Sequence, residues 1–83
     1  MYRILFYNKA KNQLEKLPIN IKERILNSLE RIKIRPYHFI KRKQGTPYYI
    51  FRVGSYRLIL DIKNNQLIIF VIEVGLRKNI YKR

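Results

Sequence analysis

The chain has 83 residues, a mass of 10.2 kDa and 47% apolar residues, which allows a single domain spanning 1–83. A chain this short hides only about 60–65% of the surface its unfolded form exposes, so the core is small. Nineteen Lys and Arg stand against five acids, and the formal net charge of +14 repels itself unless a polyanion or an acidic partner is present. The absence of cysteine excludes disulfides, Cys-zinc sites and thiol chemistry, and one histidine, His38, cannot build a metal site alone. The amino-terminal stretch, Met1 to Ala10, lacks the apolar core of a secretion signal. The longest apolar run, Leu67 to Ile72, has six residues, against the roughly 20 that cross a bilayer. A cytoplasmic protein with no membrane contact is the expectation. The chain shows no internal repeat, low-complexity segment or flexible linker.

Tyr2 to Tyr7 is dominated by apolar and aromatic residues and predicts a strand. Asn8 then offers a cap for a short helix in which Ala10, Leu14 and Leu17 form one stripe, ended by Pro18. Asn20 and Glu23 have the spacing of a reciprocal capping box, and Ile21, Ile25, Leu29 and Ile32 repeat along one face of the long helix that follows. Arg35-Pro36 closes it, because the proline ring disfavours helical geometry in the preceding residue. Tyr37 to Gly45 has no clear period and reads as a loop made basic by Lys41, Arg42 and Lys43.

From Tyr48 the pattern turns extended. Tyr48 to Val53 and Tyr56 to Ile62 flank Gly54-Ser55, the arrangement of a type II′ hairpin turn. Asn64-Asn65, which tolerate positive φ, predict a type I′ turn before a strand from Leu67 to Val74, and Gly75 is expected to break or bulge that strand. The order βααβββ describes an α+β domain with two helices on one face of a mostly antiparallel sheet.

The first hairpin carries the chemical signal. With Gly54 and Ser55 as loop residues, Arg52 pairs with Arg57, and two guanidinium groups face each other with Cβ atoms about 4.5–5.5 Å apart. Folding gains nothing from such a pair, whereas two planar forks at that spacing can hold one phosphate. The alternative is that both side chains splay into solvent. Counting outward from Asn64-Asn65 pairs Leu60 with Ile69 and Leu58 with Val71 on one face, and Ile59 with Phe70 and Arg57 with Ile72 on the other. Two helices cover one face only, so the second is either a protein-binding surface or shielded by the tail. Glu15, Glu23 and Glu30 fall in the helices, and Asp61 and Glu73 are expected on opposite faces of the sheet, so no acid pair suits general acid–base work. What remains for catalysis is Arg, Lys and Tyr, a set that serves phosphodiester cleavage by RNA's own 2′-hydroxyl, since cations stabilise a pentavalent phosphate.

Leu17-Pro18 between the helices, the run Arg52-Val53-Gly54-Ser55-Tyr56-Arg57-Leu58, then Val74-Gly75-Leu76-Arg77 and Tyr81 together resemble the RelE/ParE superfamily of toxin–antitoxin toxins. The resemblance covers nearly the whole chain and implies the microbial-RNase-like fold in βααβββ order. It implies one of two activities: ribosome-dependent, metal- and cofactor-independent cleavage of messenger RNA in the A site, as in RelE, or non-catalytic inhibition of DNA gyrase, as in ParE. Carried onto this chain, it casts Arg57 and Arg77 as stabilisers of the transition state and leaving oxygen. Tyr81 becomes the group acting on the 2′-hydroxyl, and Arg52 a phosphate contact. Two positions depart from the pattern, Ile50 where many members carry a second cation and Leu76 where many carry His, departures that point to the non-catalytic alternative, a gyrase inhibitor or a toxin whose nuclease has decayed while partner binding persists. Implied partners are an acidic RelB-like antitoxin and the ribosome with its rRNA and mRNA, with operator DNA bound only through the antitoxin complex. The basic set Lys41, Arg42 and Lys43 is expected on RNA backbone.

Overall fold

Apolar spacing sorts the chain into elements, and the computed structural model, which describes residues 1–76, places them in one sheet with two helices. The order is β1 (Arg3–Phe6), α1 (Asn8–Glu15), α2 (Ile19–Ile32), a 3₁₀ turn (Pro36–His38), β2 (Ile40–Arg42), β3 (Tyr49–Val53), β4 (Tyr56–Lys63) and β5 (Ile68–Leu76). The sheet runs β1-β5-β4-β3-β2, with β1 parallel to β5 and every other neighbour antiparallel. The expected α+β class and mostly antiparallel sheet are therefore present. No helix among the described residues is long and apolar enough to cross a membrane.

The stripes expected on the helices become the core. Ala10 and Leu14 of α1 and Ile25, Leu29 and Ile32 of α2 pack on Phe51, Val53, Leu58, Leu60, Ile69, Val71 and Val74 of the sheet. Each fully buried Leu or Ile there contributes about 1.5–3 kcal/mol of transfer free energy. β1 stops at Phe6 while β5 continues to Leu76, which leaves the outer edge of β5 without a strand beyond Val71. α1 covers that edge: the Gln13 side-chain carbonyl accepts the Val74 N–H at 2.7 Å, and Lys9 lies 3.5 Å from Glu73. The side chain thus replaces a missing ladder partner and blunts an edge that could pair with another chain.

Several local expectations are corrected. Neither helix uses an asparagine cap: Tyr7 and Pro18 occupy the N-cap positions without side-chain cap bonds, so Asn8 and Asn20 are already helical. The Pro18 carbonyl takes the Lys22 N–H at 2.9 Å and starts α2 directly after the proline. α2 ends at Ile32, short of Pro36, because the Lys33 carbonyl accepts the Tyr2 N–H at 2.9 Å and ties the helix end to the start of the sheet. The segment read as a loop contains β2, whose Ile40 packs towards the core opposite Phe51.

The second hairpin differs most. Its turn spans residues 64–67, with positive φ at Leu67 (55°) and not at the asparagines, so Leu60 pairs with Val71 and Ile62 with Ile69. Ile72, not Gly75, is the extra residue of a bulge, since Ile59 faces Glu73 and Leu60 faces Val71. The shift brings Glu73 opposite Ile59 and Gly75 opposite Arg57. Asp61 and Glu73 therefore share the face away from the helices, which is mixed in character and less apolar than the sequence implied.

Candidate active site

The site begins with a turn. Gly54 has φ +59° while Ser55 has no positive φ, the pattern of the expected type II′ turn, and only a residue without Cβ takes the first position freely. The Arg24 guanidinium of α2 lies over this glycine, close enough that a Cβ would sit 3.1 Å from its Nη1. With a two-residue loop β3 and β4 have no slack, and the pairs Val53 with Tyr56 and Arg52 with Arg57 follow as expected. In such a loop the second pair is not hydrogen-bonded, which brings its Cα atoms to about 4.5 Å and its side chains together.

The two arginines sit in different environments. Arg52 is exposed, whereas Arg57 is only 2% exposed in the middle of the sheet. Gly75, opposite Arg57 on β5, contributes no side chain, so the guanidinium has room on that face. On the other flank, β2 sets Lys41 opposite Ile50. Phe39, Lys41, Arg42, Ile50, Arg52 and Arg57 line a cleft of about 330 Å³ in which four of the six residues are cations and none is an acid.

The acids stay elsewhere: Glu73 pairs with Lys9, Asp61 with Lys63 at 3.4 Å, and Glu30 with Lys33 at 2.7 Å. Arg42 is held at the rim, its Nε donating to the Thr46 carbonyl at 3.0 Å and its guanidinium 5.5 Å from the Tyr49 ring centre. Lys43 does not line the cleft; its backbone anchors the β2–β3 turn, donating to the Tyr48 carbonyl at 2.9 Å and accepting from the Thr46 hydroxyl at 2.8 Å. Arg77 and Tyr81 lie outside the described residues.

Sequence reasoning thus found Lys41, Arg42, Arg52 and Arg57, and the fold brings these together. It missed Phe39, which is 53% exposed beside them. The available signal was the alternation of Phe39 and Lys41 about a core-facing Ile40, too short a run to stand out as a strand. A second polar cluster lies apart from the cleft. The Tyr2 and Tyr37 hydroxyls both donate to Asn64 Oδ1 at 2.8 Å. Partial burial lifts the Tyr37 phenol above its ordinary pKa, and the neighbouring Tyr49 and Tyr2 add to this while the Asn64 bond opposes it.

A concave, acid-free array of guanidinium and ammonium groups is suited to a phosphodiester, and above all to one that gains charge during reaction. Residues 4–81 match the family described as the ParE toxin of the type II toxin–antitoxin system parDE. The fold is similar to the toxin–antitoxin complex RelBE2 of Mycobacterium tuberculosis, with TM-score 0.82 and 24% identity over 92% of this chain and 98% of that one. It is also similar to the intact RelBE complex of E. coli, with TM-score 0.80 and 25% identity over 92% and 96% of the two chains. The RelB–RelE antitoxin–toxin complex of Methanococcus jannaschii gives TM-score 0.72 and 28% identity over 93% and 94%. No curated protein matches the chain. A family match over nearly the full length, on a fold shared with RelE structures, places this chain in the RelE/ParE superfamily of type II toxin–antitoxin toxins.

Proposed function

We propose that this toxin is a ribosome-dependent endoribonuclease that cleaves messenger RNA in the A site and so stops translation in the cytoplasm. The cleft carries the proposal: the Arg52–Arg57 pair is joined there by two further cations, Lys41 and Arg42, and no acid lines the cleft. Opposed like charges destabilise a hairpin by a few tenths of a kcal/mol or more. A phosphate between the forks offsets this. In this mechanism the substrate 2′-hydroxyl attacks its own phosphate, Arg52 and Arg57 take up the charge on the non-bridging oxygens, and no metal or cofactor enters. The resemblance adds Arg77 at the leaving oxygen and Tyr81 at the 2′-hydroxyl.

Ile50 lies within the cleft where many relatives carry a cation, and Lys41 stands directly across from it on β2. Lys41 supplies positive charge to that wall from the neighbouring strand. Arg42 joins it on the RNA backbone, with Lys43 behind in the turn.

The partner that silences the toxin is an acidic, RelB-like antitoxin with apolar anchors, which neutralises it by covering Arg52 and Arg57 or by displacing the carboxyl-terminal segment with Tyr81. RelE relatives of known structure occur in complexes with RelB. Operator DNA is bound only by that complex.

The family match favours a second reading, since its description is of a ParE toxin: the chain binds and inhibits DNA gyrase without cutting RNA. A translation assay that maps message ends, run beside a gyrase supercoiling assay, separates the two. Message cut within the A-site codon, with gyrase unaffected, is the expected outcome. Blocked supercoiling with intact message overturns the nuclease reading.

A further inference from the structure

A second cavity adjoins the first. It has a volume of about 230 Å³ and is lined by Ser28, Arg31, Ile32, Phe39, Phe51 and Arg52. Phe39 and Arg52 line both cavities, so Phe39 stands as the wall between the Arg52–Arg57 cleft and a smaller cleft under α2. Three properties of this wall bear on ligand binding. Phe39 is 53% exposed, with the His38 ring centre 6.4 Å from its own, so part of its ring remains open to a ligand beside the cations. It is held by structure: its N–H bonds the Pro36 carbonyl at 3.1 Å, closing the 3₁₀ turn, and the next residue enters β2. Its far side carries another cation, Arg31, whose Nη2 donates to the hydroxyl of buried Ser28 at 3.3 Å and is thereby oriented in the second cavity.

Cation, aromatic, cation is the order in which a single strand presents phosphate, base, phosphate. Proteins that hold single strands combine a basic groove for the backbone with aromatic rings for the bases. We propose that Phe39 is a base-stacking platform for a nucleotide next to the one held at Arg52 and Arg57, and that Arg31 holds the following phosphate. The ligand class is single-stranded RNA, read here by stacking and charge and not by base-edge hydrogen bonds. The two-cavity site rests on the proposed RNA reading of the first cleft and extends it by one nucleotide. It also gives α2 a direct part in substrate binding.

The test is an anisotropy titration of the full chain with two labelled probes, a uridine hexanucleotide and a hexamer of abasic ribose phosphate. Phe39→Ala should weaken binding of the uridine probe about tenfold, the scale of one stacked base, and leave the abasic probe unchanged. Phe39→Trp should restore the uridine affinity, which a merely structural role for Phe39 does not require. Arg31→Ala should weaken both probes alike and lower the salt slope by about one. Equal losses for both probes in Phe39→Ala, or no loss for either, overturn the stacking role. If Arg52→Ala loses affinity while Phe39→Ala does not, the RNA reading of the first cleft survives and the extension fails. Absence of RNA binding by the wild-type chain overturns the two-cavity site, and cleavage on ribosomes then tests the first cleft alone.

Discussion

Arg52 and Arg57 oppose each other across the hairpin, and the fold tolerates this through an asymmetry. Arg57 lies in the sheet opposite a glycine, while Arg52 reaches into solvent and can lean away. Removing the exposed partner should relieve the repulsion. Arg52→Thr, which also suits a strand, is expected to raise the unfolding free energy by about 0.2–1 kcal/mol in urea titrations while lowering RNA cleavage. Loss of stability together with activity would mark Arg52 as a structural residue. Tyr37 offers a different test at the same scale. Its phenol holds the proton to higher pH in the folded chain than in the unfolded one, so its contribution is complete below about pH 10 and disappears as pH rises through the folded value. Tyr37→Phe has no proton to lose. Urea midpoints taken at about pH 9 and about pH 11 should fall less in this variant than in wild type.

The elements show where sequence reasoning succeeds and where it stops. Ile21, Ile25, Leu29 and Ile32 announce α2 because a helix must repeat its buried face every three or four residues, and the hairpin at Gly54 is legible because one residue type dominates that turn position. The helix ends are less legible. Asn8 and Asn20 look like caps, yet the caps are Tyr7, the single residue between β1 and α1, and Pro18, the last of three between the helices, whose carbonyls start the first turns without a side-chain cap. The turn at 64–67 hides its positive φ in Leu67, and the bulge at Ile72 has no sequence mark, although it decides that Glu73 shares a face with Asp61. Of the site, the pairing of Arg52 with Arg57 was legible, since register follows from the turn, while the place of Lys41, Arg42 and Phe39 beside it was hidden, because β2 has only three residues and reads as loop. The edge contact of α1 was equally hidden, because Gln13 and Val74 are 61 residues apart. Gln13→Ala leaves the Val74 N–H without that acceptor and should cost about 1–3 kcal/mol in urea unfolding. Gln13→Glu keeps an acceptor oxygen and should lose less. Equal losses in the two variants would point to packing in place of the hydrogen bond.

At the scale of the molecule, an excess of fourteen positive charges on a small sheet ties stability to binding. Lysines outside the cleft pair with Glu73 and Asp61, and the residues that line the cleft add four cations and no acid, so positive charge gathers where a ligand would meet it. Salt should therefore stabilise the isolated chain against urea and weaken its hold on RNA, opposite responses that share one cause. A midpoint that ignores salt while RNA affinity falls would separate the binding charge from the folding charge. If the antitoxin is acidic, as proposed above, its place on the open face would relieve the same repulsion and block the same cleft. The cleft's role in cleavage is measured most directly by single-turnover cutting of message on programmed ribosomes. Wild type should cut, with Arg52→Ala and Arg57→Ala each slower by about 10²–10³, the loss expected for one donor to a developing oxyanion. Equal rates in all three proteins, or no cleavage by wild type, would contradict it.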